Sequence, residues 1–207
     1  QAEKELGAAL TKHAGGVVVG EESAFADPTI LDAVPGADLA WVIDPIDGTK
    51  NFVHGSVDHG VMLAQLIRGE TVRAWIWQPQ HGHMWCAERG AGVTCDGQTV
   101  TRDGSHIPVR AATTHEAYKI ASPQVEWRMS KWCCAVDYPL ICLGENDVTA
   151  YQHSYPWDHL PGALMVRELG GVVRTVDGAE YGPREMSGTL VVAADEDAYR
   201  VVAELLR

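Results

Sequence analysis

Positive charge is scarce in this 207-residue chain: 16 lysines and arginines stand against 28 aspartates and glutamates, a formal net charge of −12. That balance argues against nucleic acid and against anionic membrane surfaces as partners. It also requires any anionic substrate to approach through a metal ion rather than through a basic surface. No apolar run is long enough to span a bilayer, and the start does not read as a signal peptide. The five cysteines include no CxxC spacing; their number is odd, and Cys133 and Cys134 are adjacent. A zinc ribbon and a fully paired disulfide framework are therefore excluded, and a reduced, cytoplasmic protein is expected. Cys133 and Cys134 read as small buried hydrophobes on base rates. Internal repeats and low-complexity segments are also lacking. What remains is ordinary apolar content with 21 glycines, enough for one sizeable core and a single domain over residues 1–207.

In chain order, Gln1–Lys12 has helical spacing, with Leu6, Ala9 and Leu10 on one face. It has no N-cap ahead of it, so the sequence is expected to begin inside a helix. Val17–Val19 reads as a short buried strand ending at Gly20-Glu21-Glu22, and residues 27–38 as a loop with one helical turn. Leu39–Ile43 is a second buried strand. Val57–Ile67 and Val72–Gln78 read as consecutive strands, and the stretch from Trp85 to Gly97 as further hairpins. His81 and His83 belong to an exposed turn. Tyr118–Ser122 reads as a strand, and the connection from Ser122 to Trp132 as short. A helix is expected over Ala163–Leu169, strands over Val172–Val176 and Leu190–Ala194, and a capped amphipathic helix from Asp195 to Leu206.

The chemistry concentrates in Asp44-Pro45-Ile46-Asp47-Gly48-Thr49-Lys50-Asn51-Phe52, where the second strand emerges into a turn. Pro45 fixes φ and holds its neighbour extended, so Asp44, the Ile46 carbonyl and Asp47 are expected to converge on one point. Three hard oxygens suit a magnesium-like ion. The amides of Gly48 and Thr49 follow, open to an anion at a helix or turn start. Two further acids share the pattern of a carboxylate at the edge of a buried element: Glu21 after the first strand and Asp158 at a helix start, where the dipole favours it. Taken singly, each has a plainer reading. DxxDG can be a polar turn, Glu21 a solvated loop acid and Asp158 an N-cap.

Taken together, these segments resemble the inositol monophosphatase family of magnesium-dependent, lithium-sensitive phosphatases. The resemblance rests on the nonapeptide 44–52, on Trp157-Asp158-His159-Leu160-Pro161-Gly162 and on Gly20-Glu21-Glu22, with Glu88–Gly92 and Cys95-Asp96-Gly97 in support. It implies an α/β, αβαβα layered sandwich with antiparallel and mixed sheets. By position it implies that Glu21, Asp44 and the Ile46 carbonyl hold one magnesium ion, and that Asp44, Asp47 and Asp158 hold a second. Glu21 would also reach a third, weaker ion through water. Gly48 and Thr49 would present amides to phosphate, while Glu21 and Thr49 orient the attacking water. The implied reaction is hydrolysis of a small phosphorylated alcohol, with lithium inhibition and a homodimer expected.

Three departures from the family pattern stand out. The acidic segment that pairs with the catalytic threonine should precede the first helix, and Glu3 and Glu5 do not match it. A glutamate that contacts inositol hydroxyls is replaced by Tyr151. The small residues that line the pocket are replaced around Trp132-Cys133-Cys134. The first bears on activation of the water through Thr49; the other two point to a flatter or smaller alcohol. Sugar bisphosphate, adenosine bisphosphate and histidinol phosphate are the sister specificities. A catalytically impaired metal- or phosphate-binding homologue is the alternative outside enzymology.

Overall fold

The computed structural model describes residues 1–184 and 187–207. The first sheet has seven strands in sequence order: β1 (Val17–Gly20), β2 (Ala40–Asp47), β3 (Gly60–Ile67), β4 (Glu70–Gln78), β5 (His83–Glu88), β6 (Gly92–Cys95) and β7 (Gln98–Val100). Among the described residues only the β1–β2 pair of this sheet is parallel; the other pairs are antiparallel. The second sheet uses β8 (Val109–Thr113), β9 (Val125–Met129), β10 (Val148–Tyr151), β11 (Val172–Thr175) and β12 (Leu190–Ala193) in the order β11-β12-β10-β8-β9. Here β8, β9 and β10 are parallel and β12 runs against both its neighbours.

Among the described residues six helices complete the layers: α1 (Ala2–Ala14), α2 (Glu21–Ala26), α3 (Thr49–Val53), α4 (Cys134–Cys142), α5 (Pro156–Glu168) and α6 (Glu196–Leu206). Helices α4 and α5 lie between the sheets in the main core, with Val19, Met62, Ile76, Trp157 and Met165 buried around them. A second core, built on Ala111, Val191, Tyr199 and Val202, seals α6 against the outer face of the five-stranded sheet. On the opposite outside, α1 lies along β1 and β2. The sequence therefore folds into the expected αβαβα sandwich.

Several local expectations are corrected. Tyr118–Ser122 is not a strand: a single 3-10 turn covers Glu116–Tyr118, and the strand is β9, a few residues on. Its Val-Glu-Trp-Arg-Met stretch is short, and the partner that makes it a strand, β8, lies across the loop between Thr113 and Val125. The loop predicted over 27–38 contains a nine-residue 3-10 segment, Pro28–Gly36, started by the Asp27 side chain accepting from the Thr29 amide. Helix α5 begins seven residues before the predicted Ala163 and runs through Pro161 and Gly162. Pro156 fits the first helical turn, where the missing N–H costs nothing. Gly162 is needed because a Cβ there would sit about 2.0 Å from the Tyr138 ring.

The apolar stretch 135–143, interrupted by Pro139, is helical as α4. Proline lacks the N–H that should reach the Ala135 carbonyl one turn earlier. That orphaned oxygen accepts instead from Gln78 Nε2 at 2.8 Å, and Gln78 Oε1 accepts from Trp85 Nε1 at 3.1 Å. A side-chain amide from the first sheet thus repairs the helix and docks it.

Candidate functional site

Strand β2 carries the acidic motif into the space between the sheets. Its pairing with β3 is regular up to Asp44↔Met62 and resumes at Asp47↔Gly60, so Pro45 and Ile46 form an irregular step. Asp44 turns back on that step, and its Oδ1 accepts from the Ile46 amide at 2.9 Å. At the end of the strand Gly48 has φ 75°, a left-handed conformation suited to glycine. A Cβ there would also crowd Cys133 and the Asp58 carbonyl at about 3 Å. The chain then enters α3, and the Thr49 hydroxyl donates to the Ile46 carbonyl at 2.8 Å. The oxygen expected to hold an ion and the hydroxyl expected to orient the water are therefore in contact.

Asp47 is buried and turned toward α4. It accepts from the Cys133 thiol at 2.9 Å and from the Ala135 amide at 2.5 Å. The Gly48 and Cys134 amides also face it. The Gly48 N–H is thus directed to Asp47, while the Thr49 amide, at the first position of α3, is among the first-turn donors with no intrahelical acceptor.

Asp158 arrives from the first turn of α5, and a carboxylate oxygen from each of Asp44, Asp47 and Asp158 lies within 4.8 Å of the others. Glu21, the first residue of α2, reaches the same place and hydrogen-bonds to Asp44, as Asp158 does. Glu21 is half-buried there, so the solvated-loop reading of it does not hold. Four carboxylates from three distant parts of the chain meet.

The electrostatics follow from that meeting. Burial, and then the charges of Asp47, Asp158 and Glu21, push Asp44 up to about 10. Burial also raises Asp47, Asp158 and Glu21. A carboxyl that holds its proton can donate to its neighbours, and a cation among the four acids would take the place of that proton. The donor set consists of hard oxygens whose crowded charges a small divalent cation would compensate, and magnesium therefore fits the residues present.

Three features of the site carried no signal that sequence reading picked up. Glu3 of α1 accepts from the Glu22 amide at 2.8 Å and the Ser23 amide at 3.1 Å, capping α2 just beside Glu21. A contact across nearly twenty residues has no local signature. Asn51, inside the recognised motif, donates to the carbonyls of both Asp58 and Lys131 at 2.8 Å. Asp137 accepts from the Ser130 hydroxyl and from the Lys131 amide, fixing the loop before α4.

A cleft of about 320 Å³ adjoins the acids, and Trp132, Cys133, Cys134, Tyr151 and His159 are among its walls. Cys133 and Cys134 are buried, as expected of small hydrophobes, while Tyr151 packs its ring on His159 with centroids 4.7 Å apart. Burial drives His159 down to about 3, so it is neutral. Its Nε2 donates to the His153 carbonyl at 2.9 Å, which leaves Nδ1 to accept from the Tyr138 hydroxyl at 3.0 Å. Away from the cleft, His81 and His83 bond to Asp58 and Asp96 respectively.

The chain is 30% identical over 190 residues to the putative Nus factor SuhB of Neisseria meningitidis, covering 83% of this chain and 69% of that protein. It is 30% identical over 156 residues to the Nus factor SuhB of Escherichia coli K12, covering 68% of this chain and 58% of that one. Among solved structures it resembles a dual-specific IMPase/NADP phosphatase bound with D-inositol-1-phosphate (TM-score 0.84, 19% identity, 100% of this chain and 82% of the other). It also resembles a staphylococcal inositol monophosphatase-1 soaked in lithium chloride (TM-score 0.85, 19% identity, 100% and 79%). At those identities the structural likeness is one of fold. The sequence profile of the Inositol monophosphatase family matches residues 1–207 in full, and the chain belongs to that family.

Proposed function

We propose that the protein is a magnesium-dependent phosphomonoesterase that hydrolyses a small phosphorylated alcohol. The observation that carries this reading is the convergence of Glu21, Asp44, Asp47 and Asp158 beside an Ile46 carbonyl already bonded to Thr49. In this reading Glu21, Asp44 and the Ile46 carbonyl hold one ion, Asp44, Asp47 and Asp158 a second, and Glu21 borders a third. Bound magnesium would polarise the phosphoryl oxygens, acidify a water and neutralise the leaving alkoxide.

The chain's own groups do the positioning. Because the Thr49 hydroxyl spends its proton on Ile46, its oxygen is left to accept from the attacking water. Glu21, at the open edge of the cluster, accepts that water's proton. The Thr49 amide steadies a phosphoryl oxygen. The water oxygen bonds to phosphorus as the ester P–O bond breaks; the alkoxide takes a proton from a solvent water to leave as the alcohol, and Glu21 returns the proton it received to solvent. Cys133, Cys134, Tyr151 and Asp158 border the leaving group. The wider reading is a homodimer in the cytoplasm.

The relative bound with D-inositol-1-phosphate and a neighbour complexed with Mg2+ and phosphate support the substrate class and the ion. The test is phosphate release from a panel of monophosphate esters, with and without magnesium, by the parent and by Asp47→Asn. Activity should require magnesium, fall with lithium, and drop by at least about a hundredfold in the variant with its fold intact. Equal activity in both proteins overturns the assignment.

A second reading is favoured by the relatives named Nus factors: the metal cluster is kept while the protein acts as a component of an assembly. With a formal charge of −12, such a component would meet its partner through protein rather than nucleic acid. Magnesium binding without turnover of any ester in the panel would decide for it.

A further inference from the structure

Trp132 occupies an unusual place. Its φ is 58°, in the left-handed region that a bulky side chain rarely adopts. Such a conformation persists only when the surroundings hold it, and here they do. The Trp132 amide donates to Ser130 Oγ at 3.1 Å, and the Lys131 amide to Asp137 at 2.8 Å. The Lys131 carbonyl is held by Asn51 at 2.8 Å. Although pinned at the backbone, the residue remains 51% exposed on the rim of the cleft, with the Lys50 ammonium 5.1 Å from the ring centroid. Its neighbour Cys133 touches Asp47. An indole face therefore stands one residue from the carboxylate cluster.

Tyr151, His153 and His159 contribute rings to the rest of the cleft, which Thr114 and Gln152 also line. Ser130 and Asp137, which could have served a polyol, are spent on each other and on the amides of Lys131 and Trp132. The Tyr151 hydroxyl, shut off from solvent, has no hydrogen-bond partner among the described residues. The volume, about 320 Å³, is at the low end for a ligand pocket, suited to a phosphate and one ring.

We propose that Trp132 is a stacking platform that selects a monophosphate ester whose alcohol carries a single flat unsaturated ring a few bonds from the ester oxygen. The ring lies on the indole across from Tyr151 and the two histidines, with the phosphate at the carboxylate cluster. This rests on the phosphatase reading for turnover, but not for binding.

The test uses the full chain with magnesium, the parent protein, Trp132→Gly and Trp132→Phe. Glycine suits the left-handed backbone and removes the ring; phenylalanine keeps a ring. Hydrolysis is compared for 2-phenylethyl phosphate and glycerol 2-phosphate. Binding is compared for 2-phenylethylphosphonate and 2,3-dihydroxypropylphosphonate, neither of which can be hydrolysed. The parent should favour the aromatic member by about tenfold in both kcat/KM and Kd. Trp132→Gly should erase that ratio, while Trp132→Phe retains most of it. A parent without preference, a glycine variant with the ratio unchanged, or no binding of either phosphonate overturns the proposal. If binding shows the preference and no ester is hydrolysed, the phosphatase reading falls and the platform stands. If both esters are hydrolysed without preference, the platform falls and the phosphatase reading stands.

Discussion

Asp44 is the residue on which charge and structure meet. Its pKa of about 10 in the folded chain exceeds the value of 3.8 it has when exposed, so folding takes up a proton. The stability tied to that proton is complete below about pH 4 and is lost as pH rises toward 10. The stability of metal-free protein should therefore fall between about pH 5 and 9, by at most ~1.4 kcal/mol per pH unit for this group, and its thermal midpoint with it. Magnesium should flatten the decline, since the cation replaces the proton. Asp44→Asn, which mimics the protonated side chain, should flatten it without metal and abolish the stabilisation by magnesium, worth ~2.7 kcal/mol at a hundredfold excess over Kd. Differential scanning calorimetry across pH, with magnesium or chelator, checks both. A flat profile for the metal-free parent contradicts the cluster's electrostatics.

At the scale of elements, the site depends on where short helices begin. Glu3→Ala removes the carboxylate that caps α2 beside Glu21. It should cost ~1 kcal/mol of stability and weaken magnesium binding several-fold, as read by calorimetric titration. Gly162→Ala drives a methyl into the Tyr138 ring between α4 and α5 and should cost ~3 kcal/mol or more in a denaturant titration. The sequence made the strands of the first sheet legible because hairpins alternate and turn locally, as around Arg68-Gly69. It made the acids legible because Asp44 to Phe52 is a local motif. The start of helix α5 is not legible because Pro161 and Gly162 are breakers by propensity, and the glycine is explained only by Tyr138 across the core. Strand β9 was missed because its partner β8 lies on the far side of a loop. The Glu3 cap and the Gln78 repair of α4 join distant segments, and no local pattern announces such pairs.

Across the whole molecule the formal charge of −12 opposes the arrival of a dianionic ester. Salt screens exposed charges over about 8 Å at physiological strength. The KM for a phosphate ester at saturating magnesium should therefore decrease as sodium chloride rises from about 20 to 150 mM, the reverse of an electropositive phosphatase. Steady-state kinetics at matched magnesium measures it, and a KM that climbs with salt would mean that local positive groups such as Lys50 outweigh the global field.

The bridge made by Asn51 has a further consequence. One carboxamide fastens the segment that bears the acids to the segment that bears the indole. Retuning the preference of this protein by altering length or sequence around Lys131 would thus disturb the reacting groups as well. Tyr151, on a strand of the other sheet, lies outside that clasp and is the position from which selectivity can change while chemistry is left alone.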